Sequence, residues 1–277
     1  MKLAFNTWVY SSFPVWVPAY TLEETIKRIA RIGYDGIEIG AAAPHAYPSQ
    51  VTKERRKEIK RVLDDNGLAL SSMLPAPGGG PGFNVASPLP EERREAIEQY
   101  KQVARLCSDL GGNTVLYVAG WQIFGTPRAQ AWAWSAEALK EIARSAEGAG
   151  VVLAIETTTT DSNLIESCDH AIELMEEVAE PNVKLMFDTQ HAYYRNEVPT
   201  DYVYKMGKNL RHVHLSEFGR LAPGQGPGDF VGLVQALRDI AYDGYLAMEI
   251  GFNRRNVEPD LVARQAYEYM KPLLTAK

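Results

Sequence analysis

With 277 residues, 45% of them hydrophobic and 23% charged, the chain has the make-up of a globular protein able to bury a large core. Its net charge of −6 argues against a nucleic-acid partner, which needs a clustered basic face, and no apolar stretch approaches the roughly 20 residues that cross a bilayer. Met1-Lys2-Leu3-Ala4-Phe5-Asn6 runs straight into a strand pattern without an apolar leader, and Cys107 and Cys168 read best as two free thiols, so a cytoplasmic location is expected.

Short apolar runs alternate with longer amphipathic ones along the whole chain. Leu3–Asn6 reads as a strand and Leu22–Arg31 as a helix behind Thr21, an N-cap candidate with Glu24 at capping-box spacing. Strand Gly36–Ile39, helix Lys53–Asp65, strand Leu68–Met73 and helix Glu91–Leu110 follow. Next come strand Thr114–Val118, helix Ala129–Ala149, strand Val151–Glu156 and helix Glu166–Val178. The last third gives strand Val183–Asp188, helix Tyr202–Lys208, strand Leu210–Leu215, helix Phe230–Ala241, strand Tyr245–Ile250 and helix Leu261–Leu274.

Several of these strands lack period-two alternation, as parallel strands covered on both faces do. Gly33, Gly67, Gly111, Gly150 and Gly244 fall where a helix should end and a strand begin. Eight strand–helix units in one rhythm predict a closed parallel sheet, a (β/α)₈ TIM barrel forming a single domain over residues 1–277. An open doubly wound sheet would carry a glycine-rich phosphate turn after its first strand, and Asn6-Thr7-Trp8-Val9-Tyr10 is not one. Two loops rich in proline and glycine, Pro75–Pro90 and Gly219–Asp229, follow strands and are expected over the barrel mouth.

Chemistry in a barrel sits where strands end. The last four predicted strands each deliver a metal-capable group there: Glu156, Asp188, His214 and Glu249. Each follows apolar residues, so each borders the core, where an unpaired charge is costly. Three carboxylates and an imidazole aimed at one spot would repel unless a divalent cation lay between them. One nitrogen and three oxygens suit Mn²⁺, or Mg²⁺ or Co²⁺, better than structural zinc. His212 has the strand phase of His214 and is read as core or as support for it. His45 and His170 are read as structural or exposed, with His45 also within reach of the pocket. Glu156 and Glu249, from opposite sides of such a cation, would form a proton-shuttling pair on a metal-bound hydroxyketone.

Further stretches carry a family signature. They are Ile29-Ala30-Arg31-Ile32-Gly33-Tyr34-Asp35-Gly36-Ile37-Glu38-Ile39, Phe83-Asn84-Val85-Ala86-Ser87-Pro88, and Phe187-Asp188-Thr189-Gln190-His191. His212-Val213-His214, Arg220-Leu221-Ala222-Pro223-Gly224-Gln225-Gly226 and Tyr242-Asp243-Gly244-Tyr245 complete it. With these the chain resembles the sugar phosphate isomerase/epimerase superfamily, the xylose isomerase-like barrels. Within it the resemblance points to the ketose 3-epimerases acting on tagatose and psicose (allulose), and to fructoselysine 3-epimerase.

The resemblance implies that Glu156, Asp188, His214 and Glu249 hold one divalent metal, that Glu156 and Glu249 double as acid and base, and that no organic cofactor is needed. It implies that His191 and Arg220 hold substrate oxygens, and that copies of the chain pair as a homodimer or homotetramer. One departure stands out. The epimerases place a second Glu six residues after the fifth-strand Glu, whereas here Thr157-Thr158-Thr159-Thr160-Asp161-Ser162-Asn163 follows, with Asp161 taking that place on a shorter loop. Trp8, Trp16, Trp121 and Tyr10 are candidate sugar-stacking faces, and Gly78–Gly80 is a candidate lid.

The function expected from these readings is a metal-dependent ketose 3-epimerase working through a metal-stabilised cis-enediolate on a small-molecule sugar. The alternative is a lyase of the 2-keto-myo-inositol dehydratase kind, which begins with the same enolisation and then expels a hydroxyl. A zinc-cluster DNA-repair nuclease on this barrel would want more than five histidines and a basic face, and a non-catalytic sugar-sensing barrel would not need a complete ligand set.

Overall fold

The computed structural model describes residues 1–11, 19–75, 83–251 and 257–275. Trp16 and Gly78–Gly80 lie outside the described residues. The strands are β1 (Lys2–Asn6), β2 (Gly36–Ala41), β3 (Ala69–Pro75), β4 (Thr114–Tyr117), β5 (Val152–Thr157), β6 (Val183–Asp188), β7 (Leu210–Leu215) and β8 (Tyr245–Met248). Each pairs in parallel with the next, and β8 returns to β1, so the sheet closes on itself as the sequence rhythm predicts.

Around this barrel lie α1 (Leu22–Ile32), α2 (Lys53–Asp65), α3 (Pro90–Asp109), α4 (Arg128–Glu147) and α5 (Cys168–Val178). They are followed by α6 (Thr189–Tyr194), α7 (Pro199–Met206), α8 (Phe230–Asp239) and α9 (Pro259–Thr275). No helix among the described residues is long and apolar enough to cross a membrane.

Local chemistry sets most helix boundaries. Thr21 accepts a hydrogen bond from the Glu24 amide at 3.3 Å and starts α1. The reciprocal half of the expected box is not made, because the Glu24 carboxylate turns to Arg28 at 2.9 Å. Ser167 caps α5, so that helix starts at Cys168 rather than Glu166. Pro199, whose missing N–H costs nothing in a first turn, starts α7 three residues before the expected Tyr202. After α8 the left-handed residue is Ala241, with φ of 55°, and not Gly244.

Packing sorts into an outer and an inner core. Outward-facing strand residues such as Ile155, Phe187, Val213 and Leu215 join the helices in one large cluster. Inside the barrel Trp8, Leu74, Leu116, Ala154 and Met186 form a separate apolar plug. Residues i and i+2 of a strand share a face, so Glu156 and Asp188 stand directly above Ala154 and Met186. The plug is the floor of the site. Cys107 and Cys168 are buried free thiols, each pushed up to about 12 by burial.

Candidate metal centre

The ends of β5, β6, β7 and β8 bring Glu156, Asp188, His214 and Glu249 together, each side chain offering one donor atom within 4.8 Å of the other three. All four residues are buried. From His214 Nδ1 the distances are 3.2 Å to Glu249 Oε2, 3.5 Å to Glu156 Oε1 and 3.9 Å to Asp188 Oδ2. One atom bears on whether a cation fits. His214 Nδ1 is buried, faces Glu249 Oε2 at 3.2 Å and makes no hydrogen bond among the described residues. A buried polar atom left unbonded is costly, and a cation among these four groups would satisfy it.

Charge in the cluster is uneven. Burial pushes the Glu156 carboxyl up to about 7, against the pull of His214. Burial likewise raises Glu249, opposed by Arg220 and His214. Burial works against ionisation of Asp188 too, but the Arg220 guanidinium, then His191 and His214, hold its carboxyl below the usual carboxylate range. His214 itself sits well above the usual histidine value, because Glu38 and Glu249 outweigh its burial.

Arg220 reaches the cluster itself: its guanidinium pairs with Asp188, and its Nη1 lies 2.6 Å from Glu249 Oε2. The reason is charge compensation: three carboxylates in a dry site draw in a cation, and in this structure the side chain supplies one. Its backbone, with φ of 61°, lies in the tight turn between Glu217 and Leu221. The glycine-rich loop beyond does not lie slack over the mouth. It wraps the buried Glu217 carboxylate, which accepts from the Gly224 and Gly228 amides at 3.3 and 3.1 Å.

The remaining candidates fall on several walls. His191 is buried on α6, 3.8 Å from Asp188 Oδ2 and 3.3 Å from the Thr159 hydroxyl, and burial pushes it down to about 4. Asp161 is half-buried, and its Oδ2 accepts from the Thr160 hydroxyl at 2.9 Å, which ties it to its own loop. Trp8 lies in the floor against Gly40. Trp121 is half-buried, its backbone latched to the Asn84 side chain at 2.9 and 3.0 Å. Tyr10 packs in the outer core: its hydroxyl donates to Asp260 at 2.8 Å, and its ring lies among Phe5 and Tyr20. His45 bonds the Tyr20 carbonyl at 2.8 Å.

One residue next to the cluster escaped the sequence reading. Glu38 of β2 is fully buried, 2.8 Å from His214 Nε2 and 2.9 Å from His212 Nε2. The signal available was an acid inside the apolar run Gly36-Ile37-Glu38-Ile39, where a charge requires partners.

Residues 26–273 match the family described as Xylose isomerase-like TIM barrel. Fructoselysine 3-epimerase of Escherichia coli O157:H7 is 28% identical over 259 residues, covering 91% of this chain and 94% of that protein. D-psicose 3-epimerase of Enterocloster bolteae is 30% identical over 245 residues, covering 84% and 77%. Among solved structures, D-psicose 3-epimerase with D-tagatose from Clostridium cellulolyticum H10 superposes with a TM-score of 0.85 at 24% identity, covering 100% of both chains.

Proposed function

Because this chain belongs to the xylose isomerase-like TIM barrel family, and its relatives are epimerases, we propose that it is a divalent-metal-dependent ketose 3-epimerase built as one barrel domain. The observation that carries the proposal is the convergence of Glu156, Asp188, His214 and Glu249, with the buried Nδ1 of His214 left without a hydrogen bond among the described residues. When bound, the cation would hold a ketose by its oxygens and spread the charge of an enediolate.

The protein's own groups supply the proton chemistry. Glu156 and Glu249, both raised by burial, are the pair that takes a proton from C3 and returns one to the opposite face. His191, kept neutral by burial, can offer a ring N–H to a sugar oxygen. Asp161 and Trp121 are proposed to border the sugar from the loops after β5 and β4, and Trp8 to face it from the floor. Arg220 is proposed to share its guanidinium with substrate once a cation takes over its work on Asp188 and Glu249. The one-nitrogen, three-oxygen donor set favours Mn²⁺. Exposed Tyr194, Phe218 and Val231 support pairing of copies, and the buried thiols Cys107 and Cys168 support a reducing compartment.

The test is incubation of the Mn²⁺-loaded protein with D-fructose, D-psicose, D-tagatose and fructoselysine in D₂O. Deuterium is expected at C3 of at least one ketose, and Glu156→Gln or Glu249→Gln should lower that exchange by about 10²–10⁴-fold. Exchange with none of them defeats the reading. An ultraviolet-absorbing enone in place of the epimer would reassign the barrel to a lyase.

A further inference from the structure

Glu38 does no evident work in the proton chemistry, yet it is among the most completely bonded acids in the molecule. The β2–β3 ladder slips between Ile37 and Glu38, which sets Glu38 opposite Ser72 inside the barrel. Its Oε1 accepts from Asn6 Nδ2 at 2.6 Å and faces His214 Nε2 at 2.8 Å. Its Oε2 accepts from the Ser72 hydroxyl at 2.6 Å and faces His212 Nε2 at 2.9 Å. Four donors use the whole acceptor capacity of a carboxylate. Glu38, His212 and His214 are close enough to suggest a second cation site, but with both oxygens filled at hydrogen-bond length the trio is a closed hydrogen-bond network.

We infer that Glu38 is a positioning residue for the mouth cluster: its Oε1 holds the Nε2 proton of His214, so that Nδ1 is the nitrogen left to meet a cation among Glu156, Asp188 and Glu249. An imidazole binds a cation only through a ring nitrogen that carries no proton, and the partner of the other nitrogen decides which one that is. The carboxylate is itself fixed. Asn6 cannot turn its amide around, because its Oδ1 accepts from the Trp8 amide at 2.8 Å, leaving Nδ2 to face Glu38. His212 Nε2 also lies 3.2 Å from Ser72 Oγ, so the lower pair of donors braces the other oxygen. Strands β1, β2, β3 and β7 thus set one ring on the mouth.

The inference rests on the cation reading of the mouth, and its test separates the two. Glu38→Gln keeps the shape but replaces one acceptor oxygen with a donor, so two of the four neighbours meet an N–H. Calorimetric titration of that variant with Mn²⁺ should show affinity lowered about 10–100-fold, while Ser72→Ala, which spares the Glu38–His214 bond, stays close to the unmodified protein. In the unmodified protein loaded with Mg²⁺, ¹⁵N-histidine NMR should show His214 with Nε2 protonated and Nδ1 bare. The opposite tautomer, or a folded Glu38→Gln variant binding Mn²⁺ as tightly as its parent, overturns the inference. Should Glu38→Gln fail to fold, the tautomer of the parent decides. Should the parent bind neither cation, the proposed function falls, and a bare Nε2 in the metal-free protein would overturn the Glu38 inference separately.

Discussion

Burial holds a proton on Glu156 up to about pH 7, and Glu38 and Glu249 hold His214 protonated well above its usual range. A cation among these groups has to displace both protons. For Glu156 the sign follows from a folded value raised above the ordinary 4.5: its contribution to stability is full below about pH 4.5 and is lost as pH rises through about 7. Cation binding runs the other way, since it wants the carboxylate. Mn²⁺ binding should therefore release more protons at pH 6 than at pH 8, the difference approaching about one proton from Glu156. Calorimetry in two buffers of different ionisation enthalpy at each pH measures this, and equal release at both would refute a proton held on Glu156. The four cluster residues were legible in the sequence because each follows an apolar run at a strand end. Glu38 was not, since a mid-strand acid shows no partner until the barrel closes and brings the histidines of β7 across its interior. Neither was the pairing of Arg220 with Asp188 and Glu249, because a loop position facing the pocket does not reveal which acids the side chain meets.

At the scale of elements, the floor is set by a close approach of the loop after β1 to β2. Gly40 leaves no room for a side chain: a Cβ there would overlap the six-membered ring of Trp8. Gly40→Ala must therefore push Trp8 against Leu74, Leu116 and Met186. Overpacking of this kind costs about 1–3 kcal/mol, or a fall in Tm of about 2–12 °C for a chain of this size. Gly148→Ala, where a Cβ would meet open space, is the control and should stay within about 0.5 kcal/mol of the parent. Equal melting of the two variants would remove Trp8 from the floor. Strands and long helices were legible because their apolar periods run for a turn or more. Helix α6 was not, since its six residues are too few for a period; its one cue was Asp188, whose Oδ1 accepts from the Gln190 amide at 2.8 Å and caps it. The same carboxyl thus ends a strand, starts a helix and offers its other oxygen to the cluster.

For the whole molecule, closure of the barrel is what converts four distant stretches of sequence into one site. Rhythm alone predicted it: eight parallel strands in order leave no edge unpaired once β8 meets β1. The mouth cluster draws on β5 through β8, and Glu38 and Asn6 extend its bonding to β2 and β1. A cation held there would link the first and last strands of the closed sheet through side chains as well as the ladder. It binds the folded state alone, because in the unfolded chain these residues are far apart. At a concentration about 100 times its dissociation constant it should add about 2.7 kcal/mol, raising Tm by about 5–11 °C. Calorimetric scans with Mn²⁺ and with a chelator measure the difference, and Asp188→Asn, which keeps the α6 cap oxygen but removes a charge from the cluster, should shrink it. Identical melting with and without Mn²⁺ would mean that Arg220, His214 and the proton on Glu156 already balance the three acids, and that the convergence serves the fold and not a cation.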